Sequence, residues 1–208
     1  MSLGAFLILI YMPTLTNQLE AVNSMLAHIG ESPVSTISDA VALPVSASTA
    51  LATLNEVSKE VQSETWHFNS IPKLTLSPAN DGRISVPANT LWLDALDKSI
   101  DITMRGNFLF DRKNNTNIFS ESVVVKTTIY LEWDELYEQA RRYITLRASR
   151  IFQGRLVGSK ELEGLIARDE YQARARLEDA DGGHSNRSMF DNYEVAKRIG
   201  INRNTDIS

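Results

Sequence analysis

A chain of 208 residues with 43% hydrophobic content is long enough to bury one substantial core, or a core and a smaller appended module, and belongs to the folded rather than the disordered class. Its 21 Lys and Arg against 26 Asp and Glu give a formal net charge of -5, which argues against a protein whose main work is gripping nucleic acid, although a local basic patch stays open. The absence of cysteine excludes a disulfide framework, thiolate catalysis and a cysteine-held zinc.

The first twelve residues carry the apolar run Leu3–Ile10. It is too short to cross a bilayer, so no membrane-spanning segment is expected, and it lacks the basic residues that open a signal peptide. Two readings stand side by side: an arm that docks on a neighbouring subunit, or an extension from an upstream start.

From Thr16 to Ile29, Leu19, Val22, Met25, Leu26 and Ile29 recur at three- and four-residue spacing, which predicts a helix with one buried face, capped by Thr16 and stopped by Gly30. Glu31 to Pro44, with two prolines and several Ser and Thr, reads as a loop. A second helix follows, with Ala47, Ala50, Leu51, Leu54, Val57 and Val61 as its stripe.

After Trp66–His67–Phe68 the pattern becomes that of strands, because Pro72, Pro78, Pro87 and Asp81–Gly82 break any helical period. Ile100–Arg105 and Phe108–Phe110 flank Gly106–Asn107, a pair suited to a tight hairpin turn. Val123–Leu131 is the longest β-branched run and the strongest predicted strand.

Helical spacing returns at Asp134, with Leu136, Ala140, Tyr143, Ile144, Ala148, Ile151 and Phe152 up to Gly154. Ser159 then caps a last helix that runs to about Ala180. The expected fold is α+β and mainly α. Residues 14–70 and 132–181 form a discontinuous four-helix bundle, residues 71–131 a small inserted antiparallel β module, residues 182–208 an extended C-terminal tail, and residues 1–13 the apolar arm.

No phosphate loop, nucleophile elbow or metal-spaced cluster stands in the sequence, so no catalytic, cofactor or metal residue is assigned and no cofactor is expected. His28, His67 and His184 are far apart and read as packed or exposed side chains. The carboxylate pairs Glu161/Glu163 and Asp169/Glu170 read as solvated or ion-paired surface, since sequence neighbours diverge around a helix. From Gln139 to Lys160 six basic residues, Arg141, Arg142, Arg147, Arg150, Arg155 and Lys160, occur without an acid. Such a strip could face DNA or an acidic partner; pairing within the chain or between subunits fits the acidic whole better. Trp66, Trp92 and Trp133 are expected to pack between the helix ends and the β module rather than to stack bases.

The segment Ala21–Ile37, reading A-V-N-S-M-L-A-H-I-G-E-S-P-V-S-T-I, resembles the N-terminal signature of the tail tubular protein A family, the head-to-tail adaptors of short-tailed bacteriophages. Glu64–Asn69, E-T-W-H-F-N, is similar to the family's tryptophan-bearing end of the second helix. Tyr143, Ala148, Arg150 and Phe152 with the following glycine turn are similar to its third helix. The likeness extends discontinuously over about residues 15–180. It implies a structural virion protein with no active site, forming a twelvefold ring under the portal protein, meeting a tail nozzle of the tail tubular protein B kind, and letting DNA pass without sequence-specific binding. On that reading the interface candidates are Arg141, Arg147, Arg150 and Arg155 on the third helix, with Met189, Phe190 and Tyr193 in the tail as the portal-binding element. The competing readings are a virion-associated hydrolase domain, which needs a converging acid pair, and a DNA-binding packaging factor using the arginine-rich helix.

Overall fold

The computed structural model describes residues 15–38 and 43–184. Helix α1 spans Gln18–Ala27 and buries Ala21, Val22, Met25 and Leu26. Its cap is Asn17, not Thr16: the Asn17 side chain accepts from the Glu20 N–H at 2.8 Å, and the Glu20 carboxylate accepts from the Asn17 N–H at 2.9 Å. Thr16 is drawn away instead, with its N–H at 2.8 Å and its hydroxyl at 2.6 Å from the Glu138 carboxylate. Gly30, at φ +76, ends the helix as the sequence predicts. Its own N–H reaches the Ala27 carbonyl and the Glu31 N–H reaches that of Leu26, so two terminal carbonyls are satisfied.

Helix α2, Val45–Gln62, buries Ala47, Ala50, Leu54, Val57 and Val61. The chain then enters the β region. Strands β1 (Ser70–Leu76), β2 (Thr90–Ala95) and β5 (Val123–Ile129) form an antiparallel sheet in the order β1-β5-β2. The valine-rich run is therefore the central strand. Pro72 lies where the β1–β5 register shifts between Ile71 and Leu74, on an edge strand where a missing N–H costs least. Strands β3 (Ile102–Arg105) and β4 (Phe108–Asp111) form the expected hairpin, with Arg105 opposite Phe108 and Gly106 at φ +60 in the turn.

Helix α3, Glu138–Leu156, starts later than its apolar spacing predicts. Trp133–Glu135 forms a 3-10 turn instead, and Leu136 is extended (ψ 143). Residues Leu136 and Asp134 thereby leave carbonyls free, and the Arg141 guanidinium fills them. Helix α4, Lys160–His184, continues past Ala180 and through Gly182–Gly183, so the extended tail does not begin at residue 182. Tertiary anchoring overrides the glycine propensity there: the Asp181 carboxylate accepts from the His67 N–H at 2.8 Å.

Two cores result. One gathers apolar residues of all four helices with Trp66 and Trp133, including the fully buried Tyr143, Phe152 and Leu177. The second lies among Leu76, Ile84, Val86, Leu93, Ala95, Ile102, Leu109, Val123 and Val125. The fold is α+β and mainly α, and helix α3 packs against each of the other three helices. No helix among the described residues is long and apolar enough to cross a membrane.

Candidate protein interface

The arginines of α3 fall on different sides of the helix, and the structure engages four of them within the chain. Arg141 is buried; its Nε donates to the Leu136 carbonyl at 2.7 Å, Nη1 to that of Thr16 at 2.9 Å and Nη2 to that of Asp134 at 2.8 Å. Arg147 lies between α2 and α4, 2.6 Å from Glu60 and 3.2 Å from Glu170. Arg150 holds the other Glu170 oxygen through its Nε and lies 4.0 Å from Glu163. Arg155 forks onto Glu56 at 2.9 and 3.2 Å. The carboxylate bonds hold these guanidiniums above their usual range, chiefly Glu60 on Arg147, Glu170 on Arg150 and Glu56 on Arg155. Of the same basic run, Arg142 and Lys160 are exposed.

This arrangement is a clamp. Glu170, with only 11% of its side chain exposed, sits between two arginines, so removing it leaves two cations facing each other across a half-dry helix pair. The acids of α2, Glu56 and Glu60, complete the clamp from the other side. The acids thus come from both sides, Glu163 and Glu170 from α4 and Glu56 and Glu60 from α2, because α3 packs against both helices.

The bundle meets the β module through a buried polar joint. Gln62, at the end of α2, treats the Leu131 backbone as a strand would: its Oε1 accepts from the Leu131 N–H at 2.8 Å and its Nε2 donates to the Leu131 carbonyl at 3.0 Å. Asn69 Nδ2 donates to the Gln62 carbonyl at 2.7 Å, and Asn69 Oδ1 accepts from the Trp66 N–H at 3.0 Å. Thr65 stands at φ +62, an uncommon conformation for a β-branched residue, with its hydroxyl bonded to that of Thr128 at 3.1 Å. Trp66 and Trp133 are buried beside the joint, as expected of them; Trp66 Nε1 donates to the Val61 carbonyl and Trp133 Nε1 to that of Thr16. Phe68 stands edge-on to Tyr137 at 4.8 Å. Burial, and then the Asp181 charge, pushes the Tyr137 hydroxyl above its usual range. The sequence reading does not single out Gln62, and it quotes Asn69 only as the last residue of the E-T-W-H-F-N motif, with no role assigned.

Trp92 departs from expectation. It is 42% exposed on the outer face of the sheet, with the Lys126 ammonium 5.1 Å from its ring centre. That basic neighbour comes from the adjacent strand. Large aliphatic side chains also lie open around the α3–α4 turn, at Leu156, Val157, Leu162 and Leu165. Met189, Phe190 and Tyr193 lie outside the described residues. Among the described residues no group of His, Asp and Glu is placed to hold a metal ion. His28 hydrogen-bonds the Ser24 carbonyl on its own helix at 2.7 Å.

A family model described as tail tubular protein matches residues 19–186, from the start of α1 to just past the end of α4. No curated protein matches the chain. With the match running through the helical bundle, the polar joint and the inserted module together, the chain belongs to the tail tubular protein family and is a structural component of a phage tail.

Proposed function

We propose that this chain is the adaptor of its family, the tail tubular protein A kind, which closes into a ring of twelve copies, joins the portal protein to the tail nozzle and lines the DNA exit channel in the virion neck, after assembly in the host cytoplasm. The observation that carries the reading is the extent of the family match, which takes in bundle and module alike. A subunit of that shape offers separate faces: helices for the neighbouring copy, a projecting module, and the C-terminal segment with Met189, Phe190 and Tyr193 for the portal. Contacts between such copies are head-to-tail, and they close when the rotation between copies divides the circle.

The charge balance supports the same reading. With Arg147, Arg150 and Arg155 neutralised inside the chain, a net charge of -5 per copy is repeated around the collar, and passing DNA is not held. The test is the mass of the purified chain with and without the portal, by native mass spectrometry and negative-stain imaging. A closed oligomer is expected, along with loss of portal co-assembly when residues 183–208 are deleted. A monomer that stays monomeric with the portal present would overturn the adaptor reading.

A further inference from the structure

We propose that the outer face of the β3–β4 hairpin, where Arg105 lies over Phe110, docks on the acidic turn Glu132, Asp134 and Glu135 of a second copy; the inference rests on the ring reading and names one of its contacts. The hairpin face follows from strand alternation. Leu109 is fully buried in the module core, so Phe108 and Phe110 on either side of it face outward, half-buried. Two guanidiniums lie across them: that of Arg105 is 3.4 Å from the Phe110 ring centre, and that of Arg83 is 4.7 Å from the Phe108 ring centre. Their charges are not equivalent. Arg83 is tied to Asp81 at 2.7 Å, and Arg112, the module's remaining arginine, lies 3.5 Å from Asp101. Arg105 is exposed, and among the described residues no carboxylate pairs with it. A guanidinium laid on a ring keeps its N–H edge directed outward in a fixed plane, the geometry in which it grips a carboxylate.

The occupant follows from where the chain keeps its opposite charge. Residues 71–131 carry seven Lys and Arg against six Asp and Glu, whereas residues 14–70 and 132–184 carry ten against seventeen. Glu56, Glu60 and Glu64 of that acidic body are held by Arg155, Arg147 and Arg174. The 3-10 turn Trp133–Glu135 is different: Glu132, Asp134 and Glu135 are exposed within four residues, and among the described residues none of them pairs with a cation. Arg141 reaches this turn, but it donates to the backbone carbonyls of Leu136, Thr16 and Asp134 and not to the carboxylates. One copy thus holds an unmatched guanidinium on its module and unmatched carboxylates on its bundle, two different patches that a head-to-tail contact brings together once per interface. A nucleic-acid backbone is the poorer partner, because a single open guanidinium on this face releases too few counterions to hold it.

The test is charge exchange in the full-length chain, read by sedimentation velocity with and without the portal. Arg105→Glu is expected to weaken self-association about tenfold or more with an unchanged helical spectrum, since repulsion replaces attraction at the contact. Glu132→Arg is expected to do the same, and the two together to restore assembly to within about threefold of wild type. The absence of cysteine adds a second reading. Arg105→Cys and Asp134→Cys on separate chains, mixed and oxidised, should give a linked dimer, and the double variant a ladder of multimers. Rings that form undiminished from Arg105→Glu, or an exchange that restores nothing, would overturn the contact and leave the ring reading standing. So would a double-cysteine variant that links only within single chains. Duplex DNA retention lost in Arg105→Glu with assembly intact would overturn it in favour of a nucleic-acid face. A wild-type chain that is monomeric at every concentration and with the portal would remove the ring reading and the contact with it.

Discussion

The bundle and the β module are built on different physics. The bundle buries whole aromatic side chains, Tyr143 and Phe152, and ties its helices across the rim with Arg147, Arg150 and Arg155 of α3 on acids of α2 and α4, and with Arg174 of α4 on Glu64 just past the end of α2. The module has a smaller aliphatic core, in which Ile84, Ala95, Leu109 and Val125 are fully buried, and one sheet face left open at Trp92. Its loops are held by short-range carboxylate bonds: Asp81 to the Arg83 N–H, Asp97 to that of Ser99 and Asp111 to that of Asn114. A densely tied helical unit is thus joined to a lighter one with a smaller core.

The largest test of this contrast is a pair of cavity variants. Phe152→Ala should cost about 3–5 kcal/mol of global stability in denaturant unfolding, because the ring sits between packed helices that cannot collapse into the gap. Leu109→Ala should cost about 2–3 kcal/mol, nearer the low end for such changes, and its loss should show as faster amide exchange in β3 and β4 with the helical signal intact. Equal loss of helix in both variants would mean that the two cores melt as one.

The joint between the regions gives a smaller effect. Gln62→Ala strands the Leu131 N–H and carbonyl, at a cost of about 1–3 kcal/mol. The expected signature is a separation of the module's exchange behaviour from that of the bundle; unchanged protection at Leu131 would show that the amide bridge does not couple them.

The smallest effect is that of pH. The backbone N–H bonds to Asp81, Asp97 and Asp111 hold those carboxyls below the usual range, and the Arg155 side-chain bond does the same for Glu56. A lowered pKa in the folded state contributes stability that is present above the ordinary carboxylate range and lost as pH falls through the folded value. Three of the four lie in the module, so acidification should loosen its loops before the bundle. A carboxyl NMR titration checks this, and ordinary midpoints for the three aspartates would count against it.

Much of this contrast is legible in the residues. The apolar stripes of α1 and α2, the Gly30 stop and the Gly106 hairpin are set by local chemistry, and the structure follows them. Where it departs, a distant partner decides. Thr16 and Asn17 are both fit to cap, and the choice falls to Asn17 because Glu20 completes its box while Glu138, 122 residues away, takes Thr16. Gly182–Gly183 reads as an ending, yet the hold of His67 on Asp181 carries α4 beyond it. The arginines of α3 were visible as a charge run, but which acids face them depends on how α2 and α4 lie along the same helix. Trp92 was misplaced for a related reason: the direction a strand residue faces follows from the register of β2 on β5, which no local pattern states.

The two clasps at the start of α3 have a mechanical consequence. Thr16 and Asp181 are both fastened within residues 133–141, one by Trp133, Glu138 and Arg141 and the other by Tyr137. Whatever precedes the first and follows the second departs from one pole of the subunit, so tension between those two strands is borne at a single corner while the far hairpin stays unloaded.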